Sequence, residues 1–221
     1  MAHSPSTSAQ APESRRASRR EHERSLRRED VLAAASSTFA EKGFHGAQMG
    51  EIAARAEVSL ASIYQLVSSK EELFQAVIER TARAVRAEVE ARVAAIAVPG
   101  RRLLELVDAL FACFERNGEL MRIYARATQG MPWRVRQSLG DGAQELWAEF
   151  GRYVIELARD ARARGAARGL DPEALALTLV GAVSTAAAHA VESSDPRALQ
   201  KLAPKVRAVL ARAIESGEAT P

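Results

Sequence analysis

The chain has 221 residues, 47% of them hydrophobic, which is enough for a small module plus a larger packed domain and excludes disorder throughout. Its net charge of +3 is modest, so any phosphate-binding surface has to come from local clusters of arginine and lysine. Cys113 is the only cysteine, which excludes an intrachain disulfide, and no set of His and Cys has the spacing of a zinc site.

Residues 1–25 are rich in Ser, Pro, Ala and Arg and nearly free of large apolar side chains. Such a segment cannot bury enough surface to offset its ordering entropy, so a flexible arm is predicted. The stretch before Asp30 has no apolar run of the secretory kind, and Glu13, Glu21 and Glu23 argue against an organelle transit peptide; a cytoplasmic protein is expected. A first helix is predicted from about Leu26 to Lys42, with Val31, Leu32, Ala35 and Phe39 on one face and Gly43 as a left-handed stop. Two short helices come next, at about Gln48 to Ala56 and Ser59 to Val67. Ala53 and Ala56 let their backbones approach, Ile52, Val58 and Ile63 fill the wedge, and Ser59 is placed to accept a hydrogen bond from a free amide. This is the pattern of a helix-turn-helix whose second helix fits a major groove, which makes residues 26–72 the candidate DNA-binding domain.

Ser68-Ser69-Lys70-Glu71-Glu72 opens the next helix, each serine having a glutamate three residues on, a doubled capping-box signature. Its apolar pattern runs through Leu73, Val77, Val85, Val89, Val93 and Ile96 to a break at Pro99-Gly100, long enough to tie the reading head rigidly to a second domain. Arg101 to Arg116, Glu119 to Thr128 and Gly140 to Arg164 read as further helices. Asp171-Pro172 and Asp195-Pro196 each place a capping carboxylate before a helix-starting proline, and Pro204 is expected to kink the last helix. Residues 73–216 therefore read as a helical bundle, with 217–221 a tail. Ala174 to Val191 is apolar around most of its circumference, but it is short and interrupted by Thr178, Ser184, Thr185 and His189, so a buried helix is expected and no membrane partner. Together with Leu199, Leu202, Val206, Val209, Leu210 and Ile214 it suggests a four-helix interface in a homodimer. The fold class is all-α: an N-terminal three-helix DNA-binding domain joined by a long helix to a C-terminal bundle that binds ligand and dimerises.

The segments Val31-Leu32-Ala33-Ala34-Ala35, Phe39-Ala40-Glu41-Lys42-Gly43-Phe44, Glu51-Ile52-Ala53, Val58-Ser59, Ile63-Tyr64 and Ser69-Lys70-Glu71-Glu72-Leu73-Phe74 resemble the tetracycline-repressor-like (TetR) transcriptional regulators, over about a fifth of the chain. The resemblance implies a homodimeric, all-helical repressor whose second domain binds a small-molecule effector and thereby releases double-stranded operator DNA. It also implies a backbone-contacting tyrosine at Tyr64. The chain departs from the family pattern at Ala47 and Gln48, where Thr and Ser or Thr are usual, and at Glu57, where Gly is usual. Leu66 and Val67 replace His or Tyr and Phe, so a phosphate contact from Leu66 is impossible.

Gln48, Ser59, Leu60, Ala61, Ser62 and Gln65 are the candidates for the groove face, with the two glutamines equipped to read adenine. Lys70 places a cation at the positive end of a helix dipole; a DNA phosphate would compensate it, as would pairing with Glu71 or Glu72. Arg15, Arg16, Arg19, Arg20, Arg24, Arg27 and Arg28 form the one basic cluster and either reach DNA or stay solvated, diluted by Glu21, Glu23, Glu29 and Asp30. Farther along, Phe111, Phe114, Met121, Tyr124, Trp147 and Phe150 either line an effector cavity or fill an ordinary core. Cys113 reads as an apolar core residue. No Ser/His/Asp set, HExxH, Gly-rich phosphate loop or buried carboxylate pair is present, so no enzyme, no cofactor and no metal is expected. The alternative is a ligand- or protein-binding relative that has lost DNA binding.

Overall fold

The computed structural model describes residues 10–118 and 141–216. Among these the chain is all helical: α1 (Gln10–Gly46), α2 (Met49–Arg55), α3 (Leu60–Tyr64), α4 (Lys70–Ala94), α5 (Pro99–Arg116), α6 (Asp141–Ala163), α7 (Pro172–Glu192) and α8 (Ala198–Ser216). They fall into two units, Met1–Phe74 and Gln75–Pro221.

In the first unit, α1 begins at Gln10, well before the Leu26 start expected, so the predicted flexible arm is corrected to a helix over its described part. Every described side chain from Arg16 to Asp30 is exposed. No described side chain of this stretch is buried; what favours the helix is local, good helix formers and pairs such as Arg19–Glu23 at 3.4 Å. From Val31 the helix gains a buried face of Val31, Leu32, Ala35 and Phe39. Gly43, at φ 69 and ψ 173, breaks the helical path in a region that glycine alone enters readily. The turn lets Phe44 fold back onto Phe39 and Phe74, with ring centroids 6.1 and 5.1 Å away. Helices α1 and α2 are clasped outside by Arg55, which donates to both Glu41 oxygens at 2.9 and 2.8 Å, and by Lys42 to Glu51.

The second unit is a bundle in which α7 packs against α5, α6 and α8. Its core joins Val89 and Val93 of α4 with Leu103, Leu106 and Phe111 of α5, Val154 of α6, Leu179 of α7 and Ile214 of α8. α5 starts at Pro99, earlier than the Arg101 expected, because the proline takes the first helical position, where no N–H is needed. Asp171 caps α7 as predicted, accepting from the amides of Glu173 and Ala174 at 3.0 and 2.9 Å. Asp195 accepts from the Arg197 amide at 2.9 Å, but α8 begins only at Ala198, so Pro196 lies in the preceding turn and not at the first helical position expected; α8 carries Pro204 inside it. Long-range pairs fix the register: Arg207 donates to both Asp108 oxygens at 2.9 and 2.8 Å, joining α8 to α5.

Candidate functional site

Helices α2 and α3 meet as the sequence predicts, with Ile52 and Ile63 fully buried and Ala53 nearly so. The turn between them is closed by the Val58 amide donating to the Ala53 carbonyl at 3.0 Å. Glu57 lies in that turn at φ 55, the left-handed conformation that glycine would adopt without strain. Ser59 caps α3: its hydroxyl accepts from the Ser62 amide at 3.1 Å and lies 2.8 Å from the Ser62 hydroxyl. Gln48 precedes α2 without a side-chain capping bond, the cost of the missing hydroxyl.

Rotation of α3 is set by Ile63, the one residue of the helix that is buried. Consequently Ser59, Leu60, Ala61, Tyr64 and Gln65 face solvent, Ser62 is half-buried, and Gln48 is exposed in the same unit. Leu60 and Tyr64, four residues apart on one face, are 44% and 51% exposed, an uncompensated apolar surface on a five-residue helix. Tyr64 therefore lies at the surface and not in the core.

Lys70 has partners that the sequence did not suggest. Its ammonium donates to the Ala47 carbonyl at 3.2 Å and lies 4.6 Å from the centre of the Phe44 ring, so neither Glu71 nor Glu72 is its partner. An ammonium has three donors, which leaves two for an anion. Of the doubled capping box, one half forms. The Ser69 hydroxyl accepts from the Glu72 amide at 3.1 Å, while the Glu72 carboxylate accepts from the Ser68 amide and hydroxyl, each at 2.6 Å. Those two bonds, the hydroxyl's first, hold the Glu72 carboxyl below its ordinary value. With Lys42 and Arg55 matched by Glu51 and Glu41, cationic groups free of acidic partners lie on α1, where Arg24, Arg27 and Arg28 are exposed and without ion pairs among the described residues.

A second candidate site lies inside the bundle. A cavity of about 130 Å³ is lined among the described residues by Phe114, Trp147 and Phe150, all three expected, together with Ile78, Val85 and Arg86 of α4, Cys113 of α5 and Ser184 of α7. Phe111 is corrected: it is 4% exposed in the core and does not line the cavity. Met121 and Tyr124 lie outside the described residues. Sequence reasoning missed Arg86, which binds Glu90 at 2.7 Å and also Glu149 of α6, because a partner 63 residues away leaves no local pattern. Burial pushes the Cys113 thiol up, against the pull of Arg116, so it stays protonated at neutral pH, in keeping with a core role.

On the outer side, Leu177 and Val209 are 65% and 68% exposed, and a shallow groove between α7 and α8 is floored by Gly181, Ala182 and Leu202. Leu210 and Ile214, expected at a dimer interface, are instead buried in the chain's own core. Helix α7 is long and apolar enough to cross a membrane by composition, yet eight of its residues are buried against the bundle.

The helix-turn-helix module coincides with the model of the bacterial regulatory proteins of the tetR family, which matches residues 31–77. The chain is 37% identical over 100 residues to the HTH-type transcriptional activator FasR of Mycolicibacterium smegmatis, 45% of this chain and 46% of that protein. It is 33% identical over 115 residues to the HTH-type transcriptional repressor NicS of Pseudomonas putida, 51% of this chain and 54% of that protein. The chain thus spans about half the length of the curated relatives it matches. Its fold is that of the transcriptional regulator FadR from Bacillus subtilis, solved in complex with stearoyl-CoA, with a TM-score of 0.67 over 84% of this chain and 98% of that one. At 19% identity that likeness speaks for the fold alone. In its helix-turn-helix unit, residues 31–77, the chain is similar to the bacterial regulatory proteins of the tetR family, and its all-helical fold is shared with solved regulators.

Proposed function

We propose that this protein is a one-component transcription regulator, a homodimeric repressor that leaves a roughly palindromic operator when a small molecule occupies the cavity of its second unit. The observation that carries this reading is the outward face of α3. Ile63 alone anchors the helix, leaving Leu60, Ala61, Tyr64 and Gln65 exposed beside Ser59. Solvent exposure of an apolar side chain such as Leu60 has no folding benefit, whereas a thymine methyl in a major groove would cover it. Gln65 and Gln48 would supply base hydrogen bonds, and Ser59, Ser62, Tyr64 and Lys70 backbone contacts. The reading head, residues 26–72, would act in the cytoplasm on DNA, with no catalytic step.

Ligand response would run through α4, since Ile78, Val85 and Arg86 of this helix line the cavity and Lys70 at its start holds the Ala47 carbonyl. The exposed Leu177 and Val209, with the shallow groove of α7 and α8, support pairing of two chains through that face. Fluorescence anisotropy with DNA from upstream of the chain's own gene tests the DNA part: nanomolar binding by a dimer, weakened by effector, is expected. Because the coupling is one free energy seen from two sites, operator DNA must weaken effector binding by the same factor. Effector affinity that ignores operator DNA refutes the release mechanism, and in vitro transcription decides repression against the activation that the name of the FasR relative carries.

A further inference from the structure

Among the described residues two polar side chains are buried, Thr38 and Ser184. The Thr38 hydroxyl is satisfied, donating to the Ala34 carbonyl at 2.8 Å. Ser184 is 6% exposed, lines the cavity, and makes no side-chain hydrogen bond. Among the described residues no fully enclosed polar side-chain atom lacks a partner, so the Ser184 oxygen keeps some exposure, and the space that Ser184 lines is the cavity. On the same helix Thr178 turns its hydroxyl back to the Ala174 carbonyl at 2.7 Å, the ordinary way for a helical hydroxyl to be satisfied. A buried hydroxyl that does not do this is costly unless something else meets it.

Charge on the cavity wall narrows what that something is. Among the described residues Arg86 is the cation there, and its guanidinium is held by two carboxylates, Glu90 and Glu149. One positive charge between two negative ones leaves a local surplus of negative charge, so among the described residues an anionic group entering the cavity would find no free cation and would be repelled. The rest of the described wall is mostly apolar, formed by side chains such as Val85, Leu110, Phe114 and Phe150. A volume of about 130 Å³ is near that of an engineered cavity known to take up benzene.

We propose that the effector is an uncharged, mostly apolar molecule with a single hydrogen-bonding group, a carbonyl or hydroxyl, that engages the Ser184 hydroxyl. This rests on the cavity being the effector site of the proposed regulator. Three probes of similar size separate the terms: acetophenone, which is neutral with one carbonyl; isopropylbenzene, which is apolar; and benzoate, which is anionic. Calorimetric titration of the full-length protein should rank acetophenone above isopropylbenzene by about tenfold, a typical gain from one hydrogen bond in an apolar site, with benzoate weakest. Ser184→Ala should remove the preference for acetophenone while leaving isopropylbenzene unchanged, and Glu149→Gln should strengthen benzoate selectively. Benzoate binding as tightly as acetophenone, or a preference for acetophenone that survives Ser184→Ala, overturns the proposal, as does binding of none of the three. Operator binding measured on the same preparation separates that failure from failure of the regulator reading, since DNA binding would persist in the first case and be absent in the second.

Discussion

Replacing Glu57 by glycine should stabilise the reading head. Glu57 is exposed, sits at φ 55 between α2 and α3, and its carboxylate has no hydrogen bond or ion pair among the described residues, so its side chain contributes no contact to lose. Holding an L residue in the left-handed region costs about 1–2 kcal/mol, and glycine returns about 0.4–1 kcal/mol of this through the greater freedom of its unfolded chain. A net gain of about 1 kcal/mol remains. Because two units unfold in one chain, a global melting curve blurs the effect. Amide hydrogen exchange read locally at Ile52, Val58 and Ile63 is the better assay, and protection there should rise by about fivefold for about 1 kcal/mol. Glu57→Ala keeps the Cβ and should gain nothing, while Glu57→Asn should gain part. An equal gain from alanine and glycine would show that charge removal, not backbone geometry, is responsible, and no gain from glycine would refute the strain argument.

Lys70→Ala should weaken operator and random DNA alike, whereas Gln65→Ala should alter preference at one or two base pairs; equal losses on every sequence from both variants would reject that division of roles. Changing Arg24, Arg27 and Arg28 together to glutamine should lower the salt slope of DNA binding by about 2–3 if these unpaired side chains reach phosphates, and an unchanged slope removes α1 from the interface. Glu41, Glu51 and Glu72 are all held below ordinary carboxylate values, by Arg55, Lys42 and Ser68 respectively. Their contribution is therefore present above the usual carboxylate range and is lost as pH falls through the depressed folded-state values. Urea midpoints for the first unit should drop across that acidic window, and Glu41→Gln should flatten the drop.

Much of the candidate site was legible because its signals are local. A serine cap, an alanine pair and a buried isoleucine fix how α2 and α3 cross within a span of about a dozen residues, so Ser59, Leu60, Ala61 and Gln65 could be assigned outward from spacing alone. Gly43 and Asp171 act within one turn of their own position and were equally plain. Phe111 and Phe114 were not separable in this way: three residues apart on α5, they occupy adjoining faces, and the helix's rotation against its neighbours decides which one meets the cavity.

The linear order of residues by itself determined most of the helices, the Ser59 and Asp171 caps and the reading head, since these depend on contacts a few positions apart. Tertiary structure alone decided that Lys70 turns to Ala47 and Phe44, that Leu210 and Ile214 serve the chain's own core, and that Arg86 is neutralised by a glutamate on α6. Each of those outcomes depends on which distant surfaces meet, and burial and charge pairing across such surfaces leave no periodic trace in the chain that carries them.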